Sequence, residues 1–334
     1  MPELASTPAD LSVSEAPPLR GAGFASVAMA VPDNVVPNAV INERLGLKDD
    51  WIETRTGVIE RRIVEPDETL VGLGAEAGRR ALTGAGADAT DLDFVIVGTM
   101  TQEDIGPNVA PLVAEELGTN APAFDVGAAC CAWLDGVAVA TALIETGRAD
   151  SILVVGADVL SRITDQGDKS TAGLLADGAG AALMTATPGP SRIGRFTGGS
   201  DGANGHLIKG EPGTHLIHMK GRDVFKHAVN RMSEATVAAL DLAGLSYDDI
   251  DLFVYHQANS RIIRAVGERL ELPTERVVDY VRHFGNTSAA TLPMALTQAE
   301  QEGRLAAGDT VLLTAFAAGL TWVATVVEWG VEGA

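Results

Sequence analysis

Cysteine is nearly absent from this chain. Its 334 residues include two, Cys130 and Cys131, and they are neighbours. A long-range disulfide framework is therefore excluded, and so is a multi-cysteine zinc site. The setting this implies is a reducing cytoplasm. Positive charge is also short: 24 basic residues stand against 45 acidic ones, for a net charge of −21. Nonspecific binding to nucleic acid or to an anionic membrane needs a basic surface, so neither is expected. An acidic partner would have to dock on a local basic patch. Nor is there a clean membrane span. The stretch 126–144 comes nearest, but Asp135 interrupts it and small residues dominate, so it reads as a buried helix. Residues 1–20 have neither a basic start nor an apolar core; they read as a disordered lead-in, not a secretory signal.

Apolar residues make up 46% of the chain, enough for a large core, and the length exceeds one ordinary core. Two packed units or one duplicated fold are expected. A repeat favours duplication. The run Ala81-Leu-Thr-Gly-Ala-Gly-Ala-Asp-Ala-Thr-Asp-Leu-Asp-Phe-Val-Ile-Val97 aligns without a gap on Ala239-Leu-Asp-Leu-Ala-Gly-Leu-Ser-Tyr-Asp-Asp-Ile-Asp-Leu-Phe-Val-Tyr255. Both read as helix end, Gly-containing turn, Asp-rich loop and buried strand. A second pair, Ala149-Asp-Ser-Ile-Leu-Val-Val155 and Gly308-Asp-Thr-Val-Leu-Leu-Thr314, lies at nearly the same spacing. Between the members of each pair runs a small-residue helix, one opening near Cys130 and the other near Ser288. The alternative is that such turn-and-strand patterns recur in any α/β protein. Short apolar runs at 94–97, 152–155, 253–255 and 311–314 are the strand candidates. Being apolar on both faces, they suit sheets covered on both sides, where functional groups gather beyond the strand ends.

Three stretches carry chemistry: Asp125-Val-Gly-Ala-Ala-Cys130, Tyr255-His256-Gln-Ala-Asn259 and His283-Phe-Gly-Asn286-Thr-Ser288. Together they supply a thiol, an imidazole and a carboxamide. Such a set can load an acyl group onto sulfur and steady the enolate of a second thioester that attacks it. Cys130 follows small residues at a helix start, where unpaired N–H groups favour a thiolate. A free cysteine is as often a small core residue, and Cys131, about 100° further round a helix, competes for the role. His256 ends a buried strand and could donate to a thioester oxygen or move a proton. Asn286 suits a turn or N-cap, and equally an uncharged donor to an enolate, which an Asp would repel. His215 and His218 would share a helix face, but no nearby acid or thiol completes a metal site. The run Asp177-Gly-Ala-Gly-Ala-Ala182 completes no nucleotide-loop pattern and reads as close backbone packing.

From Gly21 to the C-terminus these residues resemble β-ketoacyl-acyl-carrier-protein synthase III, a ketosynthase of the thiolase superfamily. The resemblance implies a thiolase-like, five-layered αβαβα fold of two similar halves, over residues 21–190 and 191–334, and a homodimer. It implies Cys130 as nucleophile and His256 with Asn286 as the pair that binds the malonyl thioester. Backbone N–H groups of Cys130 and Ala318 would form the oxyanion hole. Trp51, Arg55 and Lys169 would flank the nucleotide of coenzyme A, and Gly221, Phe225 and Arg261 the pantetheine tunnel. Arg261 with Lys226, Arg264 and Arg269 would make the patch for an acidic carrier protein. The substrates implied are an acyl-CoA and a malonyl carrier protein, with no metal or redox cofactor.

Two departures stand out. Ala317 and Ala318 replace glycines common in the last loop, and Gly106 replaces a bulky gate residue that reaches into the partner's acyl pocket. The expected reaction is a ping-pong condensation primed by an acyl-CoA. The alternatives are an acyltransferase of the same fold acting on an alcohol or amine, a thiolase, and a non-catalytic partner subunit. Asn286 argues against the first, the missing second cysteine against the next, and the presence of Cys130 against the last.

Overall fold

The computed structural model describes residues 20–210, 214 and 216–330. The lead-in expected over residues 1–20 lies outside them apart from Arg20, as does His215.

Two sheets organise the chain. The first runs in the order Gly21–Ala30, Asp177–Thr187, Ser151–Val159, Phe94–Gly98, Ala123–Val126. The second runs Thr197–Ser200, Thr321–Glu328, Thr310–Ala317, Leu252–Tyr255. In both, the first two neighbouring pairs are antiparallel and the third is parallel. The first sheet adds Ala123–Val126 as a further parallel strand, and at the matching place in the second, Val277 makes one parallel bridge to Phe253. The two halves therefore share one topology.

The repeated aspartates explain why the pattern survives in sequence. Asp93 donates its N–H to Ser151 O at 2.8 Å and accepts the Ser151 N–H on Oδ2 at 3.1 Å. Asp251 makes the same two bonds with Thr310, at 2.9 and 2.8 Å. Each clamp registers a parallel strand pair at its start. The turns just before them are alike too, with Gly86 and Gly244 left-handed at the ends of helices Leu70–Ala85 and Gly221–Ala243.

The layers follow from which faces are apolar. Leu70–Ala85 and Val109–Leu117 cover the outer face of the first sheet, and Gly221–Ala243 and Ser260–Arg269 that of the second. Ala132–Glu145 and Thr291–Gln301 lie between the sheets. The result is the αβαβα sandwich. Leu312 faces the outer cluster with Met232 and Phe253, while Leu313 faces the central one with Trp133 and Leu296. Strands buried on both sides cannot alternate with polar residues, and the continuous apolar runs follow.

Of the stretch 126–144 only the part from Ala132 on is in the central helix, Ala132–Glu145; Val126 ends a strand and Ala129–Cys131 is a 3₁₀ turn. Among the described residues no helix is long and apolar enough to cross a membrane. The glycines of the strands let this layer sit close. A Cβ on Gly156 would meet Ala289 O at 2.5 Å, and one on Gly180 would meet Met294 N at 2.9 Å, so close packing is the use of the Gly-rich run. One expectation fails: His218 lies on a strand, Ile217–Met219, paired with Ile208–Gly210, and not on a helix. Ile217 is buried and His218 exposed, the period of two that a helical reading of His-Leu-Ile-His overlooks. Among the described residues no group of three or more His, Cys, Asp or Glu could hold a metal ion.

Candidate active site

Cys130 lies in a single 3₁₀ turn, Ala129–Cys131, that leads into the central helix Ala132–Glu145. Ala129 is left-handed at φ 48°, a conformation that costs a residue with a Cβ about 1–2 kcal/mol. This elbow separates the two cysteines. Cys130 lines a cavity, whereas Cys131 is wholly buried with Sγ 3.7 Å from Thr321 O. The thiolate expected at the helix start is not favoured here. Burial pushes the Cys130 thiol up to about 12, and the Asp158 carboxylate adds to this, while the nearby Ser288 hydroxyl pulls it down less strongly. Loss of hydration by the thiolate is the largest cause of the shift.

His256 follows the strand Leu252–Tyr255 directly, its N–H held by Thr314 O at 2.8 Å as if the strand continued. Its ring is buried, which lowers its pKa to about 3, so the imidazole is neutral at physiological pH. Nδ1 lies 2.6 Å from Thr291 Oγ1, leaving Nε2 for the cavity that His256 lines. Asn286 bonds in register with Leu174 and Ala176 of the other half. Its Oδ1 accepts the Ser288 N–H at 2.9 Å. That bond identifies the amide oxygen and leaves Nδ2 to donate into the cavity. Asn286 thus forms the turn and serves the site with different atoms.

The cavity holds about 600 Å³ and gathers most of the residues singled out from sequence. Cys130, His256, Asn286 and Ala318 line it, as do Trp51, Arg55, Lys169, Gly221, Phe225, Lys226 and Arg261. Arg55 stacks on Trp51 at 4.4 Å from the ring centre, and Arg261 lies 5.7 Å from that of Phe225. Three residues lie elsewhere. Arg264 and Arg269 are exposed further along the helix Ser260–Arg269, and Arg269 bonds Asn230. Gly106 is on the exposed loop before Val109–Leu117, with nothing within 4 Å of where its Cβ would be.

Sequence reasoning missed four residues. Arg222 adds a fifth cation to Arg55, Lys169, Lys226 and Arg261 on the cavity wall, in a chain whose net charge is −21. Ser288, left-handed at φ 53°, lines the cavity beside Cys130. Thr291 touches His256 from the first turn of its helix. Asp158, wholly buried, accepts the N–H groups of Met100 at 2.8 Å and Ala289 at 3.1 Å and the hydroxyls of Thr99 and Thr101, both at 3.0 Å. It joins the first sheet to the turn after Asn286. Only Arg222, beside Gly221, had a signal in the sequence; the others depend on contacts between distant segments.

Comparison with known proteins gives a consistent result. Residues 124–202 match the family described as 3-oxoacyl-[acyl-carrier-protein (ACP)] synthase III, and residues 240–329 match its C-terminal region. The β-ketoacyl-[acyl-carrier-protein] synthase III of Geobacillus kaustophilus is 43% identical over 316 residues, spanning 93% of this chain and 99% of that protein. The crystal structure of the synthase III from Thermus thermophilus is 42% identical, with a TM-score of 0.89, over 93% of this chain and all of that one. The priming β-ketosynthase of the R1128 polyketide pathway is 33% identical with a TM-score of 0.91, over 96% and 99% of the two chains. The chain belongs to the β-ketoacyl-[acyl-carrier-protein] synthase III family.

Proposed function

We propose that this enzyme joins an acyl group from acyl-CoA to malonyl carrier protein by decarboxylative condensation, starting a fatty-acid or polyketide chain. Cys130 sulfur attacks the acyl-CoA carbonyl, the C–S bond to coenzyme A breaks, and the thiol proton leaves with coenzyme A. The backbone N–H groups of Cys130 and Ala318 hold the oxyanion. Malonyl carrier protein then enters, and loss of CO2 leaves an enolate whose oxygen accepts from His256 and Asn286. The enolate carbon attacks the acyl-cysteine carbonyl, the sulfur departs, and it regains a proton from solvent. These bond changes need neither a metal nor a redox cofactor.

One observation carries the reading: thiol, imidazole and carboxamide from both halves line one cavity with a cationic wall. Trp51, Arg55 and Lys169 would take the nucleotide of coenzyme A, with Gly221, Phe225 and Arg261 along the pantetheine. Arg261, Lys226, Arg264 and Arg269 would receive the acidic carrier. The enzyme would work in the cytoplasm as a homodimer, each chain dividing into halves near residue 190. Gly106 would leave room in the partner's acyl pocket for a longer or branched starter. Acyl-CoA-dependent release of CO2 from malonyl carrier protein tests the reaction; release that ignores acyl-CoA, or none, overturns it. Self-acylation with acetyl-CoA against medium-chain acyl-CoA tests the gate, and a clear acetyl preference would sink it.

A further inference from the structure

The proposed reaction requires His256 to donate from Nε2, and a neutral imidazole has one N–H to place. Resting on that reading, we infer that Thr291 is a positioning residue that fixes the ring as the Nε2–H tautomer by donating its hydroxyl proton to Nδ1. Three observations support this. Thr291 Oγ1 has one proton and two acceptors in reach, Nδ1 at 2.6 Å and Ser288 O at 3.0 Å. Ser288 O already accepts the backbone N–H of Thr291 and does not depend on the hydroxyl. Nδ1 is buried and has no other partner among the described residues.

The duplication supplies a further observation. Sequence and strand register align Gly98 with His256, and the elbow Ala129–Cys131 with the turn Ser288–Ala290. Ala132 is then the counterpart of Thr291, each being the first residue of its central helix. In the first half a Cβ on Gly98 would meet the backbone carbon of Ala132 at 2.7 Å. The same pair of positions thus touches in both halves, as Gly–Ala in one and His–Thr in the other. The fold is satisfied without a hydroxyl there. The Thr291 hydroxyl is present where an imidazole needs orienting, which is how outer-shell partners act on catalytic histidines.

Nitrogen-15 NMR of the histidine-labelled enzyme, with His256→Gln to assign its signals, reads the tautomer directly. The expected result is a protonated Nε2 and a bare, hydrogen-bonded Nδ1; a protonated Nδ1 overturns the proposal. Thr291→Val keeps the volume and removes the donor. It should lower CO2 release from malonyl carrier protein by about 10–100-fold, with self-acylation from acyl-CoA changed far less. Thr291→Ser should restore both the tautomer and the rate. Equal loss in both half-reactions, or failure of serine to rescue, would mean the hydroxyl is only structural. If the wild-type enzyme released no CO2, the reaction would be wrong while the tautomer result stood by itself.

Discussion

The two central elbows are one structure used for two purposes. Ala129–Cys131 and Ser288–Ala290 are both 3₁₀ turns, each starts on a left-handed residue, and each feeds a helix buried between the sheets. The first presents a sulfur at its second position. The second has Ala289 there and presents the Ser288 hydroxyl from its first position. At the strand ends nearby, Gly98 lets backbones touch, while His256 fills the equivalent place with a ring. The comparison teaches that one scaffold presents a thiol to the cavity from one copy and an imidazole and a carboxamide from the other. Neither half alone contains the full set.

The sharpest way to break the comparison is to move the sulfur. Cys130→Ala should abolish self-acylation, read as intact-protein mass after incubation with acyl-CoA. Adding Ala289→Cys should not restore it, because Ala289 lies outside the cavity lining. Label on Cys131 would assign the wrong elbow position. The next effect is on acid stability. Burial lowers the His256 pKa from 6.5 to about 3. Between those values the unfolded chain binds a proton that the folded chain refuses, so stability should fall as pH drops through 6.5. The slope is about 1.4 kcal/mol per pH unit, and His256→Gln should lose that part of it in denaturant titrations at several pH values. A smaller loss is expected from Gly156→Ala, whose Cβ would press on Ala289 O; about 1–3 kcal/mol should appear in the thermal midpoint. Gly106→Ala meets nothing and should stay within about 0.5 kcal/mol. If Gly156→Ala were as mild, the second elbow would not rest on the sheet as described.

Much of this architecture was legible in the chain, for a physical reason. Asp93 and Asp251 perform an identical local task, so the same short pattern recurs around each. The strand ends and helix starts that carry Cys130, His256 and Asn286 are likewise local features, fixed by a few adjacent residues. What the sequence hid depends on distance along the chain. Asp158 and Ala289 meet only because two sheets share one helix layer, and no spacing announces that. The Cys130 thiol misled for a related reason. A helix start can be read from neighbours, but the desolvation that overrides it comes from remote walls. His218 misled through a short motif that fits either period.

The glycines beneath the elbows have one more consequence. Where Gly98 and Gly156 touch the central layer, main chain rests on main chain, with no side chains as spacers. The height of the sulfur above the sheet is then set by the thickness of two peptide backbones, a dimension that rotamer changes cannot alter. Warming the protein should loosen its surface well before it shifts the platform on which the chemistry stands.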